Sequence, residues 1–197
     1  MKRGDSADYA LEPSQVDHLI RSCVTLEELV LIRCQLHLGL RISEVGHMKS
    51  IWVTDLGMLR VPSKQPCQCP DCQDSGAWQP KTKAGARTLP IPGSFRPSLV
   101  EFLSKQQNGF QQTRQGLYYR TKKVLVRAKI QVKGLAQDTV YPHVLRATCA
   151  TMLAAGGMDA AGLTYFMGWA NIAMGSHYIQ IAQAKDLAAR QATQIFK

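Results

Sequence analysis

The chain contains no apolar run near the roughly 18 residues that a bilayer-spanning helix needs. Its start, Met1 to Ala10, is polar and has no apolar segment of the secretory type. An integral membrane or secreted protein is therefore not expected. Internal repeats and low-complexity tracts are also missing, and 45% apolar against 19% charged residues is enough for a packed core. At 197 residues the chain has the length of one ordinary domain. Acids are the scarcest feature: 14 Asp and Glu face 24 Lys and Arg, for a net charge of +10. From Lys81 to Arg146 there are thirteen Lys and Arg and two acids, Glu101 and Asp138, while the remainder is nearly balanced. A basic block segregated in this way points to a polyanion partner, most often nucleic acid.

Six cysteines do not make a disulfide framework here. Cys23, Cys34 and Cys149 lie in apolar helical stretches and read as buried thiols. Cys67, Cys69 and Cys72 form one tight cluster, better suited to a metal than to disulfides, and the expected compartment is reducing.

Hydrophobic periodicity and end signals give a mainly helical chain. Pro13 opens a first helix, and Thr25 with Glu28 forms a capping box for a second that Gly39 ends. Gly39-Leu40-Arg41-Ile42-Ser43-Glu44 turns into a short helix. Residues 51–53, 58–61 and 87–91 read as three short strands. A polar, cysteine-bearing insertion at about 63–80 separates the second from the third. Further helices are expected around Leu99 to Leu103 and Leu117 to Ala128, from His143 to Ala155, and from Ala160 to Met167. Two more are expected at Ile172 to Ile181 and Lys185 to Phe196. The expected class is α+β, mainly α with a small antiparallel three-stranded sheet.

Four segments then fall into one ordered pattern. Arg41 lies in Gly-Leu-Arg-Ile-Ser-Glu, and His143 and Arg146 lie in His-Val-Leu-Arg, three residues apart on one helix face. Trp169 follows Met167-Gly168, and Tyr178 lies nine residues beyond it. A lysine, Lys81 or Lys83, precedes the third strand. In this order and spacing, the stretch from Pro13 to Ile181 resembles the catalytic domain of the tyrosine recombinases, the integrase family. Family members usually carry a further helical DNA-binding domain ahead of this one. Here the expectation is a single catalytic domain over 1–197 without that N-terminal core-binding domain.

The resemblance implies a DNA-breaking and -joining enzyme. The Tyr178 hydroxyl attacks a scissile phosphate, giving a 3′-phosphotyrosyl link and a free 5′-hydroxyl that strand exchange then uses. Arg41 and Arg146 donate paired N–H groups to the non-bridging oxygens. Lys81, with Lys83 as the alternative, protonates the leaving oxygen. His143 accepts the tyrosine proton or donates to the phosphate, according to its protonation. Trp169 offers an indole N–H where many members have His. No cofactor is expected for catalysis. Lys83, Arg87, Arg120, Lys122, Lys123 and Arg127 are expected along double-stranded DNA, and self-assembly to a tetramer on DNA is implied. The implied location is the cytoplasm of a prokaryote, or of a host to a virus or mobile element. A type IB topoisomerase, or a non-catalytic DNA-binding module with a zinc loop, are the alternative readings.

Glu44 is read as orienting Arg41 or capping locally; His18, His37, His47 and His177 as structural or exposed. The three clustered cysteines are either a structural zinc site or reduced thiols on a loop. A fourth zinc ligand would come from Asp71, Asp74, a distant His or water.

Overall fold

A computed structural model describes residues 9–132 and 140–195. The polar start up to Asp8, and Phe196, lie outside the described residues. The elements run α1 (Pro13–Arg21), α2 (Leu26–His37), α3 (Ile42–His47), β1 (Met58–Val61), β2 (Gln65–Pro66), β3 (Ala77–Trp78) and β4 (Arg87–Pro90). They continue with α4 (Arg96–Lys105), α5 (Arg114–Arg127), α6 (His143–Ala155), α7 (Ala160–Met167) and α8 (Ile172–Ile195). No helix among the described residues is long and apolar enough to cross a membrane.

α2 is the central beam. It starts where expected: Thr25 Oγ1 accepts from Glu28 N at 3.1 Å, and the Glu28 carboxylate reaches back to Val24 N at 2.9 Å. It is buried nearly all round, as a helix between two cores must be. Val30, Leu31 and Cys34 join a large core with residues of the strands, α4, α6 and α7. Ile32 and Leu36 join a second core with Val16, Leu19, Val124, Leu125 and Leu145. Cys34 and Cys149 are buried as expected, whereas Cys23 is half-buried.

The helical class holds, but the sheet differs from expectation. β1 pairs with β4 antiparallel, from Met58↔Pro90 to Val61↔Arg87, and β2 pairs separately with β3. Residues 51–53 do not form a third strand. Ser50–Trp52 is a 3₁₀ turn, and only Val53 bridges to Leu59. Ser50 N is drawn to Gln107 O at 2.8 Å, and Trp52 is turned inward with its indole N–H on Gln65 Oε1 at 2.9 Å. The insertion is thus not plain loop: it carries the β2–β3 hairpin. The two expected C-terminal helices are one continuous helix, α8.

α7 ends at Gly168, whose backbone is left-handed at φ 60°. A Cβ there would lie 2.9 Å from Arg87 Nη1 and 3.1 Å from Ala84 O. Gly168→Ala should therefore lower stability by about 1–3 kcal/mol, the usual cost of a strained backbone conformation. Urea unfolding at pH 7 checks this; an unchanged midpoint would show that the turn relaxes freely.

Candidate active site

Arg41 is the N-cap residue of α3, and the Glu44 carboxylate closes that end by accepting from Arg41 N at 2.9 Å. The same carboxylate accepts from Arg41 Nη1 at 2.9 Å and from Arg87 Nη1 and Nη2 at 3.2 and 3.0 Å. Glu44 and Arg87 are both buried. The main-chain carbonyls at the end of α7 hold the other sides of the guanidiniums. Phe166 O accepts from Arg87 Nε at 2.8 Å, Met167 O from Arg146 Nη2, and Gly168 O from Arg41 Nη2 at 2.9 Å. These are last-turn carbonyls that a helix leaves without internal partners, and they carry its negative end. Arg146 Nη1 donates to Gly39 O, just past α2, where the left-handed backbone (φ 54°) suits glycine. A guanidinium has five N–H donors, and these two bonds use two of the five on Arg146.

Electrostatics follow from this crowding. Burial alone would raise the Glu44 pKa, but the charges of Arg87 and Arg146 outweigh it and hold the carboxyl below its usual range. Burial, then the charge of Arg41, lowers Arg146 to about 9, which still leaves it protonated at neutral pH. Two cations pair with one carboxylate and a third, Arg146, lies within its electrostatic reach, so the cluster keeps a net positive charge.

Arg41, Lys81, His143 and Arg146 line one cavity of about 800 Å³. Thr82 Oγ1 donates to Gly168 O at 3.2 Å, the carbonyl that Arg41 also uses, and so fixes the Lys81 arm beside the arginines. Lys81 rather than Lys83 lines the cavity; Lys83 lies exposed on the next 3₁₀ turn. His143 opens α6 and keeps solvent access. Desolvation of its inner side, then the charges of Arg146, Arg41 and Lys81, hold its imidazole below the usual range. Trp169 and Tyr178 stack on one another, with ring centroids 5.2 Å apart and planes at 22°. Tyr178 is 3% exposed and is packed behind the cavity wall rather than lining it. Its phenol is within electrostatic reach of Tyr141, a lining residue whose pKa is raised by burial and by Tyr9, Tyr118 and Tyr178.

Three of the expected DNA-facing cations are committed elsewhere. Arg87 is internal, because strand alternation in β4 turns Arg87 and Leu89 inward together. Arg120 pairs with Glu27, and Arg127 pairs with Glu28 at 2.5 Å and with Ser22 O at 2.9 Å, which ties α5 to the start of α2. Lys122 is half-buried and Lys123 exposed on the same helix. The cavity also gains Lys64 and Arg114, which sequence reading did not single out. Arg114 carried a signal: a cation in the first turn of a helix opposes the helix dipole unless an anion answers it.

The cysteine cluster gathers as well. Cys67, Cys69 and Cys72 come together with His47, all four ligand atoms lying within 4.8 Å of one another. His47 was expected to be merely structural or exposed. Asp71, one of the fourth ligands considered, instead accepts from Arg114 N at 2.9 Å and caps α5.

This fold has known relatives. The sequence profile of the Phage integrase family matches residues 10–185, so the chain belongs to that family. No curated protein matches it in sequence. Among solved structures it is similar to XerA recombinase, with 18% identity, TM-score 0.67, and coverage of 92% of this chain and 62% of that one. It is also similar to the Tn1549 transposon integrase in complex with transposon right-end DNA, with 21% identity, TM-score 0.68, and coverage of 91% and 66%. A third is the catalytic domain of bacteriophage HP1 integrase, with 20% identity, TM-score 0.60, and coverage of 92% and 93%. The chain thus spans about two thirds or less of the XerA and Tn1549 chains, and most of the isolated HP1 domain.

Glu44→Gln tests the cluster. Removing one partner of a buried ion pair typically costs about 3–5 kcal/mol. The Glu44 pKa is depressed in the folded state. Its stabilisation is therefore present above the unfolded value of about 4.3 and is lost as pH falls through the folded pKa. The stability gap between wild type and Glu44→Gln should be large at pH 7 and should shrink below about pH 4. Urea titrations across that range check it; a gap independent of pH would mean that Glu44 acts only through packing.

Proposed function

We propose that this chain is the catalytic part of a site-specific DNA recombinase that works through a covalent 3′-phosphotyrosyl intermediate. The observation that carries this reading is the convergence of Arg41, Lys81, His143 and Arg146, from widely separated segments, on one cavity with surplus positive charge. A buried cationic cluster of this kind needs an anion, and a DNA phosphodiester supplies one together with two reactive oxygens.

Tyr178 is the nucleophile. Its Oη attacks phosphorus, the P–O5′ bond breaks, and the 5′-oxygen leaves as a hydroxyl. Arg41 and Arg146 donate to the non-bridging oxygens, whose charge grows in the phosphorane-like transition state. His143, held neutral at pH 7 by its surroundings, accepts the phenolic proton. Lys81 gives a proton to the leaving 5′-oxygen. Trp169 packs against the tyrosine ring and carries an indole N–H for a non-bridging oxygen. Because Tyr178 is packed behind the cavity wall, DNA binding must shift the start of α8 to deliver its oxygen. A 5′-hydroxyl from a second strand reverses the chemistry and completes the exchange.

Double-stranded DNA is the partner, bound through phosphate contacts from Lys83, Lys122, Lys123, Arg114 and Lys64 as well as the cavity. Assembly to a tetramer on DNA fits the exposed second half of α8, where Leu187 and Ile195 face solvent. Integration or excision of a virus or mobile element within a cell is the process that suits this chemistry.

Tyr178→Phe should abolish the covalent adduct with a nicked suicide substrate while leaving DNA affinity nearly intact. Denaturing gels and filter binding read the two effects; an adduct of normal yield would remove Tyr178 from the reaction. Lys81→Ala should slow cleavage of ordinary DNA by about 10²–10⁴-fold, the usual worth of a general acid. With sulfur as the leaving 5′-atom the loss should largely vanish, since a thiolate departs without a proton. Rescue of Lys83→Ala instead would move the acid to Lys83. Relaxation of supercoils without joining of two sites would identify a topoisomerase instead of a recombinase.

A further inference from the structure

We propose that His47, Cys67, Cys69 and Cys72 form a structural Cys₃His zinc site that clamps the arm carrying Lys81 to the helix carrying Glu44. The four ligand atoms lie within 4.8 Å of one another, and His47 Nε2 is 3.3 Å from both Cys69 Sγ and Cys72 Sγ. Tetrahedral zinc with ordinary bond lengths sets neighbouring N and S ligands about 3.5 Å apart and S and S about 3.8 Å apart. The observed cluster needs only small adjustments to reach that geometry. Three thiolates and one imidazole make a complete set of four and select zinc over the hard cations.

The surroundings of His47 prepare it as a ligand. Its Nδ1 lies 2.7 Å from Ser43 O, and a carbonyl can only accept, so Nδ1 carries the proton. Nε2 is then the lone-pair nitrogen, and it is the one facing the sulfurs. A backbone carbonyl on the far ring nitrogen is the usual outer-shell partner of a zinc-bound histidine. Trp78 stacks on the imidazole at 5.1 Å and 16°, and its indole N–H is fixed on Ser43 Oγ at 3.0 Å. Gln65 Nε2 donates to His47 O at 2.7 Å, closing the support from the hairpin side.

The clamp follows from where these residues sit. His47 ends α3, three residues after Glu44. The cysteines fill the turn of the β2–β3 hairpin, and β3 ends three residues before Lys81. Asp71, between two of the ligands, caps α5. One ion would therefore join α3, the hairpin and the start of α5 along one side of the cavity. The consequence for cleavage rests on the recombinase reading; the metal site itself does not.

The test uses the full chain purified without chelator. Elemental analysis should find about one zinc per chain, and replacement with cobalt(II) should give the intense thiolate-to-cobalt absorption of a tetrahedral site. Chelation should expose Cys67, Cys69 and Cys72 to a thiol reagent and change the fluorescence of Trp78. His47→Gln should weaken cobalt affinity beyond the roughly 10–100-fold that loss of an outer-shell partner costs. Wild-type protein with no metal, no cobalt absorption and freely reactive thiols would overturn the proposal. So would cobalt binding that is insensitive to His47→Gln. In zinc-loaded protein, absence of DNA cleavage would count against the recombinase reading alone, whereas unchanged cleavage after chelation would remove the clamp and leave the site.

Discussion

The Glu44 carboxylate is the constraint around which the site is built. It pairs with both Arg41 and Arg87 and lies within electrostatic reach of Arg146, and it sits where burial would otherwise drive the cations apart. A single carboxylate cannot neutralise three guanidiniums. The end of α7 supplies the rest with the carbonyls of Phe166, Met167 and Gly168, which place fixed partial negative charge without titrating. The division of labour follows from position rather than burial, since Arg87 and Arg146 are about equally buried. Arg87 is wholly internal and holds Glu44, while Arg41, at 21% side-chain exposure, and Arg146 reach the cavity.

That arrangement explains why the fold needs its turns where it has them. Gly39 and Gly168 both take left-handed backbone, and each presents a carbonyl to an arginine on the other side of the site. The ends of α2 and α7, the start of α3 and the turn before β4 are thus fastened to one another by charge-assisted hydrogen bonds rather than by apolar contact. Apolar packing of Trp52, Phe95, Leu89 and Leu99 fills the space behind them.

Much of this was legible from local signals. Pro13, the Thr25–Glu28 pair, Gly39 and Gly168 mark element ends through chemistry that acts within a few residues. Motif order and spacing singled out Arg41, Lys81, His143 and Arg146, which line one cavity. What escaped was set by tertiary partners. The apolar run at 51–53 reads as a strand, yet Trp52 turns inward to Gln65 and the backbone closes into a turn. Arg87 reads as one more cation of a basic block, although its alternation with Leu89 places both on the buried face. No breaker separates Ile181 from Lys185, and α8 accordingly runs through. His47 had no sequence signal as a partner of the cysteines, since only the fold brings α3 against the hairpin.

The central claim is that the Glu44-organised arginines hold a scissile phosphate for attack by Tyr178. A structure of the chain with nicked duplex DNA and orthovanadate addresses it most directly, because vanadate adopts the five-coordinate shape of the transition state. The account predicts vanadium in the cavity, with Arg41 and Arg146 on its equatorial oxygens and the Tyr178 oxygen at one apex. Vanadate bound elsewhere, or held in the cavity with Tyr178 still packed behind the wall against Trp169, would contradict it.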